Sequence, residues 1–187
     1  MINSLQSLRG IFAIFIFFHH YHFKDFNNFF PAGGDCGVAF FFILSGFVLC
    51  AGYQDRILER RITFKTFIHK RIIKLYPLHL LCFIWAWGLN RYSIPTGQSI
   101  QWLSNLFLIQ SWIPKSSFYF SANAVGWCLS DIIFFYMAFP ILIYLLNRYK
   151  RLFYVISFFV CLAWIGSCPY IPSEYAHAII YISPLTR

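Results

Sequence analysis

An arginine and three histidines sit inside one apolar run. Residues 8–23 read LRGIFAIFIFFHHYHF, with Arg9 near the start and His19, His20 and His22 toward the end. At about 100° per residue, eleven positions bring His20 to within about 20° of Arg9, three turns and about 16 Å along a helix. One stripe would then carry a fixed cation at the rim and an imidazole deeper in. His19 points about 100° away, and His22 falls near the far interface. A histidine so placed can be a packed residue with one hydrogen bond, a metal ligand, a proton relay or a general base. No Cys or Glu stands at helical spacing from the three, so a metal centre is not expected.

Two further sets carry charge. Seven of the fifteen Lys and Arg residues lie between Arg56 and Lys74, among them Lys70, Arg71 and Lys74. Asp131, in WCLSDIIFFYMAFP, is the acid inside an apolar stretch, and at that depth a carboxylate is expected to line a cavity or meet a cation. In GDCGVAFFFILSGF, the small residues Gly37, Ser45 and Gly46 offer a close-packing helix face.

The elements that must hold these residues are membrane spans. The chain is 59% apolar and 11% charged, against about 25% charged in soluble domains. A span needs about 20 apolar residues. Stretches 5–23, 36–53, 75–90, 125–146 and 152–172 meet or approach that length, and a sixth begins near Ala176. The first lacks the basic leader and small-residue cleavage site of a signal peptide. Stretch 100–113 is too short to cross about 30 Å of hydrocarbon and contains Gln101, Ser104, Asn105 and Gln110, so it reads as interfacial or re-entrant. The expected fold is all-α: a polytopic bundle of five or six spans plus that segment. The stretch RRITFKTFIHKRIIKL is amphipathic and suits the headgroup level. Basic loops stay cytoplasmic, which places the N-terminus and residues 56–74 inside. The basic surplus therefore sets topology, and nucleic acid is not an expected partner. The six cysteines show no C-x-x-C spacing, hence no disulfide framework or zinc site is expected.

Four blocks together resemble the membrane-bound acyltransferase-3 family. LQSLRGIFAIFIFFHHYH is similar to its opening helix, with an arginine, ten residues and a histidine, matched by Arg9 and His20. GDCGVAFFFILSGFVL resembles the second-helix block, and FIHKRIIKLYPLHL resembles the basic segment leading to Tyr-Pro. GWCLSDIIFFYMAFPIL resembles the later tryptophan block. Two positions depart from the pattern. Arg71 and Lys74 stand where many relatives have two arginines, which keeps the charge but loses one bidentate fork. Ile132 occupies the usual glutamate position, with Asp131 one residue earlier.

The resemblance implies an integral-membrane O-acyltransferase in a bacterial cytoplasmic membrane. Such an enzyme would move an acyl group, typically acetyl from acetyl-CoA, to a hydroxyl of a cell-surface carbohydrate or similar acceptor. His20 would act as base or transient acyl carrier, and Arg9, at the cytoplasmic rim of the same stripe, would hold or polarise the pantetheine end of the donor. Arg71, Lys74 and Lys70 would meet the phosphates of CoA. Residues 1–187 correspond to the first half of the family's ten-helix domain, so a partner subunit supplying helices is a further expectation beside membrane lipid. Two other functions stay open: a non-catalytic membrane helper, and a small transporter with Arg9, His20 and Asp131 along its path.

Overall fold

The computed structural model describes residues 3–20, 33–90 and 94–184, without the side chains of residues 3–6, 19, 20, 33–35 and 181. Two compact units divide the chain, Met1–Asp55 and Arg56–Arg187. Every regular element among the described residues is helical.

The first unit pairs α1 (Asn3–His20) with α2 (Gly33–Leu58). Their approach is close. A Cβ at Gly37 would fall 2.5 Å from Ile16 Cγ1 and 3.3 Å from the Phe12 carbonyl oxygen, so this position takes only glycine without a shift. Phe12 stacks on Phe40 with ring centroids 4.0 Å apart. Gly46 is different: nothing lies within 4 Å of its Cβ position. The expected small-residue face is therefore carried by Gly37, while Gly46 opens outward.

The second unit begins with α3 (Phe64–Leu89), capped where Thr63 Oγ1 accepts from the Thr66 amide at 3.2 Å. Its end is closed by Asn90, whose Nδ2 donates to the Ala86 carbonyl at 2.8 Å. The basic amphipathic stretch and the third expected span are thus one continuous 26-residue helix, and the helix starts eleven residues before the expected Leu75. Packing explains the continuity. Phe67 is fully buried and stacks on Phe139 of α6 (Trp127–Arg148) at 5.8 Å. Between these long helices run α4 (Ser99–Leu106), a 3-10 turn at Gln110–Trp112, and α5 (Ser116–Tyr119). The chain then continues into α7 (Lys150–Ser167), α8 (Ser173–Ala176) and a π turn at His177–Ile182.

Four described helices are long and apolar enough to cross a membrane: Cys36–Leu58, Phe64–Leu89, Ala124–Arg148 and Lys150–Tyr170. The described apolar part of α1, Ser7–Phe18, is shorter. No residue of α7 is buried, and such an all-round apolar exterior suits lipid or further helices. The expected sixth span does not start as a long helix within the described residues. Instead Ala178 and Ile182 are buried and His177 lies against the rings of Tyr119 and Phe120.

Candidate functional site

Helix α1 runs unbroken from Asn3 to His20, so the backbone register assumed for Arg9 and His20 is kept. Arg9 is partly exposed. The side chains of His19 and His20 lie outside the described atoms, as do His22 and the turn beyond it.

Lys70, Arg71 and Lys74 share the first three turns of α3. Lys70 and Lys74 are exposed and Arg71 is half-buried. The Arg71 guanidinium lies 5.6 Å from the Phe67 ring centroid and 5.6 Å from that of Tyr136. Phe67 and Tyr136 meet edge to face at 6.5 Å. A guanidinium held against two rings loses rotamer freedom. Arg71 is therefore a pre-positioned cation, whereas Lys70 and Lys74 act as mobile point charges. Among the described residues, the structure groups these three cations on one helix.

A second polar set, Asp131 apart, was not singled out as a site from the sequence. His79, Asn105, Gln110, Ser130 and Asp131 are each at most 1% exposed. His79 Nε2 donates to the Asn105 carbonyl at 3.1 Å, and the Tyr76 hydroxyl donates to the Leu106 carbonyl at 3.2 Å. These are the last carbonyls of α4, which have no partner within their own helix. Asn105 Nδ2 in turn donates to the carbonyls of Ser121, at 2.7 Å, and Asn123, at 3.3 Å. Ser111 Oγ donates to Ser130 Oγ at 2.6 Å.

This arrangement gives the short segment a physical basis. Backbone that neither spans nor reaches water must be satisfied by protein, and α3 supplies two donors beside the Leu108 amide, which also reaches the Asn105 carbonyl at 3.0 Å. Gly126 lets the network close, since a Cβ there would lie 3.3 Å from Gln110 Nε2 and 3.5 Å from Asn105 Nδ2. Both amide atoms of Gln110, Asn105 Oδ1 and His79 Nδ1 have no hydrogen-bond partner among the described protein atoms. The available signal was the lone histidine in the apolar string YPLHLL, read together with the amides of 100–113.

Two concavities border α3. A groove of about 580 Å³ on α3, between Pro77 and Leu89, is lined by apolar side chains and carries no titratable group. A cavity of about 310 Å³ lies at the turn entering α3, walled in part by Phe64, Phe67 and Pro140, with Arg60.

Residues 2–186 match the family described as Acyltransferase domain. The acyltransferase MdmB of Streptomyces mycarofaciens is 35% identical over 113 residues, which cover 58% of this chain and 28% of that protein. The matched part of the chain thus spans less than a third of that relative's length. No solved structure matches.

Proposed function

The chain belongs to the acyltransferase-3 family, the Acyltransferase domain matching residues 2–186, and we propose that it is a membrane acyltransferase whose donor is an acyl-CoA and whose acceptor is a hydroxyl group. Acetyl is the proposed acyl group, a cell-surface carbohydrate the proposed acceptor class, and the bacterial cytoplasmic membrane the proposed location. The N-terminus and the start of α3 face the cytoplasm in this reading, as the basic segment 56–74 favours.

Arg71 is the observation that carries the donor assignment. Its guanidinium is fixed between Phe67 and Tyr136 at the charged end of a helix long enough to span. A fixed guanidinium offers phosphate two parallel donors, and Lys70 and Lys74 add charge on the same turns.

An alcohol is a poor nucleophile at neutral pH, and an imidazole can take its proton during attack. His20 is proposed as that base. The acceptor oxygen bonds to the thioester carbonyl carbon, the C–S bond breaks, and the proton passes to His20. The thiolate leaves and is protonated. Arg9, on the same stripe of α1, is proposed to orient the donor's pantetheine end. A second reading, a membrane helper that binds lipid or a partner subunit, draws on α7, none of whose residues is buried.

The experiment is thiol release from acetyl-CoA by the full chain in lipid nanodiscs, with Arg71→Leu as the comparison. Release with a raised KM in the variant supports the enzyme reading. No release by the unaltered chain favours the helper.

A further inference from the structure

The cavity at the entry to α3 combines two properties that seldom coincide on a membrane surface. Ile57, Ile62, Phe64, Phe67 and Pro140 make it apolar and partly aromatic, while Arg60 contributes a cation. At about 310 Å³ it stands at the low end of small-molecule sites, with room for a fused ring and its ribose rather than for a long extended chain.

Arg60 is unusually committed. Its φ of 55° is left-handed, a conformation that a long side chain adopts at a cost. Its neighbour Arg61 pairs with Glu59, whereas no carboxylate pairs with Arg60 among the described residues. The Phe67 ring joins this cavity to the donor cations, because it walls the cavity while the Arg71 guanidinium lies 5.6 Å from its centroid.

We infer that this cavity holds the adenosine-phosphate end of the thioester donor. The inference deepens the acyl-transfer reading above and rests on it. Apolar and aromatic walls suit the faces of a purine, arginine suits both its face and its phosphates, and the exposed Lys70 and Lys74 lie further along the same helix. A lipid headgroup would bring a phosphate to the same cations but no aromatic ring to the walls.

The test uses the full chain in phosphatidylcholine nanodiscs, with adenosine 3′,5′-bisphosphate as the probe. Arg60→Asn removes the charge and keeps a residue that tolerates left-handed backbone. Ile57→Trp fills the cavity. The unaltered chain binds the nucleotide, and each variant binds it roughly tenfold more weakly, Arg60→Asn by losing one charge-assisted contact and Ile57→Trp by occupying the space. No binding by the unaltered chain, or equal binding by both variants, overturns the assignment. So does displacement of the nucleotide by inorganic phosphate at equal concentration or by phosphatidylglycerol in the disc, since the site would then recognise a phosphate alone.

Turnover separates this assignment from the underlying function. With acetyl-CoA both variants raise KM about tenfold. With S-acetyl-N-acetylcysteamine, a thioester lacking the nucleotide, they match the unaltered chain. An equal loss with both donors refutes the cavity's role. Nucleotide binding without thiol release from either donor supports the cavity and refutes the transfer reading.

Discussion

Replacing Gly37 with alanine should push α1 and α2 apart, and the size of the effect follows from the geometry. The new Cβ would lie 2.5 Å from Ile16 Cγ1 and 3.0 Å from Ile16 Cδ1, where ordinary carbon contacts are about 3.5–4.0 Å. Ile16 can leave its rotamer at about 0.5–1.5 kcal/mol. Alternatively the helices separate and weaken the Phe12–Phe40 stack, an aromatic pair of about 0.5–1.5 kcal/mol. Either route agrees with the usual overpacking cost of about 1–3 kcal/mol.

Trimming Ile16 to alanine removes both clashing carbons. The double variant should therefore be more stable than the sum of the single effects, with a coupling of about 1–2 kcal/mol. Rescue stays incomplete because the Phe12 carbonyl oxygen remains 3.3 Å from the Cβ position. The assay is thermal unfolding in detergent for all four members of the cycle, read at about 2–4 °C per kcal/mol for a chain of this size. A Gly37→Ala chain as stable as the original, or strictly additive effects, would refute the close approach. Acyl transfer should also fall in Gly37→Ala, since α1 carries Arg9 and His20 and a shift of about 1 Å can cost about 10²-fold.

Other outcomes follow from the second unit. Tyr136→Leu removes one ring from Arg71 and should raise the KM for acetyl-CoA about fivefold with kcat unchanged, as loss of about 1 kcal/mol implies, while Tyr136→Phe keeps the ring and the KM. Asn105→Ala takes the side-chain donor from the Ser121 carbonyl, while the Asn123 carbonyl keeps the Gly126 amide at 2.8 Å, so thermal unfolding should show a loss of about 1–3 kcal/mol for the one unsatisfied group. His79→Phe leaves the Asn105 carbonyl with the Leu108 amide at 3.0 Å, so a loss of about 1 kcal/mol is expected, and His79→Gln, which can still donate, should recover part of it in the same assay.

The spans were legible because long apolar runs in a chain with 11% charge leave few alternatives. The start of α3 was not. Charges at Lys65, Lys70, Arg71 and Lys74 lower the local hydropathy, but the helix is fixed by Phe67 and Arg71 meeting α6, a long-range contact that no window over the sequence reports. The 100–113 segment was recognised as too short to span, yet its anchoring by Tyr76 and His79 required knowing which α3 face it meets. Gly37 and Gly46 look alike in sequence, and only the position of α1 separates the packed glycine from the outward one. The cations of α3 were readable by type and spacing, whereas Tyr136, one of the two rings beside Arg71, comes from α6.

The account turns on the α1 histidine. Acetyl transfer by the full chain in nanodiscs, comparing His20→Gln with the original at matched insertion, measures it directly. A fall of about 10²–10⁴-fold in kcat with little change in the KM for acetyl-CoA is predicted for loss of a general base. An unchanged kcat would contradict it.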